Sequence, residues 1–131
     1  MKKRNKILLI SILSTIILTI LIIVLLNPVI WPPWLIRANM LRHTQAGTNM
    51  DDVIEFVEGN EKWEIKRISY KIGYSKKVEG KIIEEVGEKS IRVFHGKHNL
   101  FLFTTFVTVY YGFDENEELI DIWVNRDIDL I

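Results

Sequence analysis

One unbroken apolar run near the N-terminus constrains this chain more than any other feature. Residues 7–26 are 20 consecutive Ile, Leu, Val, Ser or Thr residues. A helix rises about 1.5 Å per residue, so a helix of this length spans roughly 30 Å, the thickness of the hydrocarbon core of a bilayer. Because lipid offers no hydrogen-bond partners, the backbone must bond internally, and the run predicts a transmembrane helix.

The residues that flank this run predict its orientation. Residues 1–6 contain no acidic residue and four basic ones: Lys2, Lys3, Arg4 and Lys6. This charge distribution favours a cytoplasmic N-terminus. Prolines follow the run within residues 27–37, which we interpret as a juxtamembrane linker. Trp31 and Trp34 suit the headgroup region of a membrane. We therefore expect residues 38–131 to form an extracytoplasmic domain of a single-pass cell-membrane protein.

A cleaved signal peptide is the alternative interpretation of the apolar run. The apolar region of a signal peptide has about 7–15 residues and ends at a small-x-small cleavage site. The present run is longer, and no such site follows it closely. The sequence therefore favours an uncleaved anchor.

Three hydroxylated residues recur at helical spacing within the run. Ser11, Thr15 and Thr19 share one helix face, where small residues let two membrane helices associate. Alternatively, each hydroxyl bonds the carbonyl one turn back and has no further role. Local bonding is the simpler interpretation, and self-association through this face is the alternative. The expected partners are the lipid bilayer and another protein of unknown identity.

The remaining sequence predicts an α+β domain. Residues 33–43 fit a short helix with Trp34, Ala38 and Leu41 on one face, and a second helix starts at Thr48 as N-cap. Strand patterns follow at residues 63–74, 91–95, 100–113 and 119–125, and residues 75–89 read as a loop or weak hairpin. We expect two short helices packed on one face of a roughly four-stranded antiparallel sheet.

The second face of this sheet is a candidate binding surface. Helices are expected to cover only the opposite face. Alternation places four aromatic and apolar side chains on the uncovered face: Phe106, Tyr110, Leu119 and Trp123. Ile120, Ile122 and Val124 are assigned to the core face. Exposed aromatic side chains on an open sheet are typical of a protein-binding patch, although ordinary cross-strand packing favours the same residues.

Composition excludes several kinds of chemistry. The chain has no cysteine, so it has no disulfide and no thiolate ligand. From residue 38 onwards, 12 basic residues face 17 acidic ones, a difference of −5 that disfavours a nucleic-acid partner. His95 and His98 have metal-ligand spacing but no accompanying carboxylate, and exposed loop histidines are the simpler interpretation. We expect no cofactor, no metal and no catalytic residue.

Two stretches carry a resemblance to known domains. Residues 47–53 read GTNMDDV, residues 107–114 read VTVYYGFD, and residues 119–121 read LID. Over about residues 41–124 this order resembles the SmpA/OmlA (BamE-like) domains and the related β-lactamase-inhibitor-protein fold. The resemblance implies an extracytoplasmic interaction domain without catalysis. It departs from the family in that SmpA/OmlA members are lipoproteins, whereas this chain has no cysteine to acylate.

Three functions remain open on the sequence alone. The sequence favours the first, a membrane-anchored extracytoplasmic binding or scaffold module that holds another protein and has no catalytic activity. The second is a membrane-anchored inhibitor or immunity protein against a secreted toxin or hydrolase. The third is a small metal-dependent hydrolase, which only His95 and His98 support.

Overall fold

The computed structural model describes residues 2–130, with the helices preceding the strands. The helices are α1 (Lys3–Leu26), α2 (Pro33–His43) and α3 (Met50–Glu58), with a 3₁₀ turn (Pro28–Ile30) after α1. The strands are β1 (Glu64–Ser69), β2 (Tyr74–Val78), β3 (Lys81–Val86), β4 (Lys89–Leu100), β5 (Phe103–Phe113) and β6 (Leu119–Leu130). The predicted α+β class is confirmed. Met1, the first residue of the predicted segment 1–6, and Ile131, the last of 38–131, lie outside the described residues.

Helix α1 is long and apolar enough to cross a membrane, and none of its side chains is buried in the protein. Signal sequences share this length and composition. The Thr15 and Thr19 hydroxyls donate to the carbonyls of Ser11 and Thr15, at 2.9 and 2.8 Å. Local bonding therefore satisfies both hydroxyls, and association of two helices through this face stays a prediction.

The main sheet has the strand order β1-β4-β5-β6, with every neighbouring pair antiparallel. Helices α2 and α3 cover one face of it and build the core against alternate residues of the strands. The buried apolar side chains of that core are Ile36, Met40, Met50, Val53, Val57, Ile91, Val93, Val107, Val109, Tyr111, Phe113, Leu119, Ile122 and Val124. We call this face the core face and the opposite one the outer face.

The folded domain begins before Ala38, the predicted first residue of the domain. Ile36 and Met40 of helix α2 are buried. Of the predicted face, Leu41 packs against the core, whereas Trp34 and Ala38 are exposed and their assignment to that face is wrong. The Arg37 Nε donates to the Ile122 carbonyl at 2.9 Å, which fixes α2 against β6. The second half of the expected linker is thus part of the domain.

The cap of helix α3 also differs from the prediction. The Asn49 side chain accepts a hydrogen bond from the Asp51 backbone N–H at 2.9 Å, which makes Asn49 the N-cap instead of Thr48. The Thr48 hydroxyl donates to the Gln45 carbonyl at 2.6 Å. Val53 and Val57 are buried as the helical spacing predicts.

An irregularity between β5 and β6 reverses two predicted positions. Gly112 lies opposite Asp121 and Phe113 lies opposite Leu119, so Ile120 is an extra residue in β6. As a result Leu119 is 3% exposed on the core face and Ile120 is 47% exposed. The predictions that Leu119 belongs to the outer face and Ile120 to the core are both wrong, because a one-residue bulge shifts the alternation.

The segment predicted as a loop or weak hairpin forms the second, two-stranded sheet of β2 and β3. The preceding strand stops at Ser69, whose hydroxyl oxygen accepts from the backbone N–H of Ile72 at 3.2 Å. A bend therefore interrupts the alternation that the sequence shows from residue 68 to residue 74. Tyr74 starts the next strand instead of ending the first.

Candidate functional site

The β2–β3 hairpin lies across part of the outer face of the main sheet. Its two strands meet at Glu79 and Gly80, which both have positive φ (52° and 80°), as a tight hairpin turn of left-handed residues requires. Lys76 pairs with Glu84 inside the hairpin at 3.3 Å and with Asp121 of β6 at 4.0 Å. The hairpin is thereby held to β6 as well as closed on itself.

Gly112 allows the hairpin to approach the sheet closely. A Cβ atom at this position would lie 2.8 Å from Cε1 of Tyr74 and 2.9 Å from Cγ1 of Val86. Both distances are shorter than carbon atoms tolerate without displacement. Tyr74 and Val86 are themselves buried, so they form a small apolar contact at the base of the hairpin.

Three aromatic rings cluster where the hairpin meets the sheet. The ring centroids of Tyr110 and Trp123 are 4.9 Å apart, and Tyr74 lies 5.9 Å from Tyr110 and 6.2 Å from Trp123. Ring pairs at these separations attract each other beyond the area that they bury. We call Tyr74, Tyr110 and Trp123 the aromatic cluster.

An open cleft of about 680 Å³ adjoins the aromatic cluster, between the hairpin and the main sheet. Its floor is one cross-strand row in which Arg67 of β1 pairs with Arg92 of β4, Arg92 with Tyr110, and Tyr110 with Trp123. Neighbouring strands lie about 4.8 Å apart, so this row is about 14 Å long. It offers two guanidinium groups at one end and two aromatic rings at the other.

The charges along the cleft are only partly compensated. Within residues 2–130, neither Arg67 nor Arg92 forms an ion pair, although Glu79 and Asp127 also line the cleft. Like charges directly opposite each other destabilise a sheet. A guanidinium presents a planar fork of donors that matches a carboxylate. The arginine end of the floor can therefore receive an anionic group.

Tyr74 adds a buried polar atom to the same cleft. Its side chain is almost fully buried, and its hydroxyl has no hydrogen-bond partner among the described residues. Burial raises the pKa of Tyr74, and the negative charges of Asp121 and Glu84 raise it further. The hydroxyl therefore stays protonated at neutral pH, as a buried polar atom beneath the cleft without a partner among the described residues.

The structure brings together two of the four residues predicted for the binding face. Tyr110 and Trp123 stack in the cleft, whereas Phe106 lies on the same face four residues along β5 and outside the cleft lining. Leu119 belongs to the core, as described above. The sequence analysis missed Tyr74 and the two arginines, since the pairing of β1 with β4 joins residues distant in sequence. Gly112 among large strand residues is the signal that another part of the chain approaches there.

The two histidines do not come together as a metal site. His95 is buried in β4, not exposed in a loop, and its ring stacks on Trp63 with centroids 4.2 Å apart. Burial lowers the pKa of His95 to about 4. The ring of His98 lies 3.1 Å from the Asn27 side-chain nitrogen. Across residues 2–130 no group of three His, Asp or Glu side chains is placed to hold a metal ion.

The two tryptophans after α1 have different surroundings. The Trp31 indole N–H donates to the Val24 carbonyl at 2.8 Å, and the ring packs partly against the core. Trp34 is exposed. Their placement at the membrane headgroups stays a prediction.

Comparison of the chain with protein-family models, curated proteins and solved structures gives no match.

Proposed function

We propose that this chain is a membrane-anchored, non-catalytic binding module that holds a protein partner at the outer surface of the cell membrane. Helix α1 would serve as the uncleaved anchor, with the basic N-terminus in the cytoplasm. The domain would present its cleft outside the cytoplasm. The resemblance to SmpA/OmlA domains, an expectation from sequence, is consistent with such an interaction role.

The cross-strand row on the floor of the cleft is the observation that supports binding. Tyr110 and Trp123 provide apolar area with little conformational entropy to lose, and Arg67 and Arg92 provide a recognition site for a carboxylate. Aromatic residues and arginine supply most of the binding energy at protein interfaces. A partner segment with an apolar or aromatic side chain next to an acidic one would match this row.

Site-specific photo-crosslinking of the full chain in its native membrane tests the proposal. A benzophenone side chain replaces Ile82, an exposed residue that lines the cleft. We expect an adduct with one protein, and we expect Arg92→Ala to reduce its yield about tenfold or more, the effect of losing a central contact. Arg92→Ala is informative because Arg92 is exposed and outside the aromatic cluster, so its loss leaves the hairpin in place.

Two further variants complete this experiment. Trp123→Ala should reduce the adduct at least as strongly, whereas Phe106→Ala, on the same face but outside the cleft, should leave it unchanged. An adduct that persists in both Arg92→Ala and Trp123→Ala would exclude the cleft as the binding site.

A further inference from the structure

Strands β4, β5 and β6 extend beyond the part of the sheet that the helices cover. The last cross-strand pair between β5 and β6 joins Phe103 to Leu130, and the β4–β5 connection consists of Phe101 and Leu102. Phe101 is 88% exposed and Leu130 is 75% exposed. From His98 to Phe113 the sequence contains no Asp, Glu, Lys or Arg. The end of the domain is therefore an exposed apolar surface without charge in its hairpin.

The two faces of this extension differ in polarity. Phe103, Ile128 and Leu130 point to the same side of the sheet as the buried residues of their strands, so they continue the core face. Unlike those residues, all three are exposed. The outer face carries Asp127 and Asp129 instead. We call the apolar surface of Phe101, Leu102, Phe103, Ile128 and Leu130 the strand-end surface. Its amphipathic character resembles that of elements that lie at a membrane interface.

Three contacts place the strand-end surface on the side where α1 leaves the domain. The Asn27 amide lies 3.1 Å from the His98 ring nitrogen, and a Cβ on Gly96 would lie 3.1 Å from Val29. The Arg126 guanidinium, on the core face, donates to the carbonyls of Val29 and Trp31.

The direction of the two segments follows from these contacts. From Val29 back to Asn27 the chain approaches α1, and from Gly96 to His98 strand β4 runs in the same direction. Phe101 lies three residues past His98, so it lies up to about 10 Å from His98 along that direction.

We infer that the strand-end surface inserts into the lipid bilayer beside the anchor and fixes the domain against the membrane. This inference rests on the proposed membrane anchoring by α1. Lipid is the occupant because the surface continues the apolar face on the side of α1, whose own apolar side chains are all exposed. The carboxylates of Asp127 and Asp129 stay on the face that looks to water. The cleft is thereby held at a fixed height and orientation.

Lipid-specific fluorescence quenching on the full chain tests this inference. The chain has no cysteine, so a single introduced cysteine carries the only label. An environment-sensitive nitrobenzoxadiazole dye is attached to Leu102→Cys, Ile128→Cys or Asp127→Cys, and also to Leu13→Cys within α1. The proteins are reconstituted in vesicles of phosphatidylcholine and phosphatidylglycerol that contain nitroxide-labelled acyl chains.

We expect the dyes at positions 102 and 128 to lose most of their emission, as at position 13, and the dye at position 127 to keep it. The pair Ile128→Cys and Asp127→Cys is a matched control, because the two neighbouring residues lie on opposite faces of β6. Quenching at position 13 without quenching at 102 and 128 would overturn the inference and leave the anchor intact. No quenching at position 13 would remove the anchor and the inference together. Contact with a second copy of the chain would shift the emission at 102 without lipid-dependent quenching, and would also overturn the inference.

Discussion

At the scale of single residues, Gly112 determines how closely the β2–β3 hairpin approaches the sheet. Gly112→Ala would place a methyl group 2.8 Å from the Tyr74 ring and 2.9 Å from Val86. We expect a loss of about 1–3 kcal/mol in the free energy of unfolding, the usual effect of an extra carbon in a packed contact. Urea denaturation measures it.

Gly59→Ala is the matched control for that prediction. Gly59 has helical backbone angles, and its added Cβ would meet nothing nearer than 3.4 Å. We expect its unfolding free energy to remain within about 0.5 kcal/mol of the native value or to rise slightly. If both variants lost the same stability, the close approach at Gly112 would not be the cause.

A second residue-scale prediction concerns the pH dependence of stability. Burial lowers the pKa of His95 to about 4, whereas an unfolded histidine titrates near 6.5. The unfolded state therefore binds more protons between these values, and the folded state loses stability as the pH falls from about 6.5 to 4. Well above pH 6.5 both states are unprotonated at His95, and the residue contributes no pH dependence.

His95→Phe tests this pH dependence, since a phenyl ring keeps the stack on Trp63 and does not titrate. Between pH 7 and pH 5 we expect the native protein to lose about 2 kcal/mol more unfolding free energy than the variant. Urea denaturation at both pH values provides the comparison. Equal losses in the two proteins would contradict the assignment of a buried neutral histidine.

At the scale of elements, the start of helix α3 depends on Asn49. Because its side chain accepts the Asp51 N–H, Asn49→Ala should lower the unfolding free energy by about 1 kcal/mol. Thr48→Ala removes only an exposed hydrogen bond to Gln45 and should cost less. Thermal unfolding of both variants shows which residue is the N-cap. A larger loss of unfolding free energy in Thr48→Ala than in Asn49→Ala would favour Thr48, the N-cap predicted from sequence.

Hydrophobic periodicity correctly predicted the elements whose burial follows one regular pattern along the sequence. Residues 7–26 carry no charged side chain, and Val53 and Val57 follow the helical spacing. Val107, Val109, Tyr111 and Phe113 alternate onto the core face. These signals are local, because each depends on a single element and the face that it buries. The α+β class and the four-stranded sheet followed from them.

The errors occurred where packing between distant segments overrides the local pattern. The bulge at Ile120 moved Leu119 into the core, and the bend at Ser69 separated Tyr74 from the strand that its alternation had suggested. The bulge has no local sequence signature, whereas Gly73 beside the bend is one. The Arg67–Arg92–Tyr110–Trp123 row depends on the registers of three strand pairs. Sequence alternation therefore found only the β5 and β6 half of the candidate site.

At the scale of the whole molecule, the juxtamembrane segment joins the anchor and the domain without a free linker. Asn27 contacts His98, Arg126 binds the carbonyls of Val29 and Trp31, and Ile36 is already in the core. Few rotatable residues separate helix α1 from the sheet. A module attached in this way would present its cleft in a restricted orientation.

We propose that α1 spans the membrane, remains attached and holds the domain outside the cytoplasm. Labelling with a membrane-impermeant maleimide, in cells with an intact cytoplasmic membrane, reports all three properties together. The two variants are Asn116→Cys, in the exposed β5–β6 turn, and Lys3→Cys, before the apolar run. We predict that the full-length chain is labelled at position 116 in intact cells and at position 3 only after permeabilisation. Labelling of position 116 only after permeabilisation, or a mature chain that lacks position 3, would contradict the account.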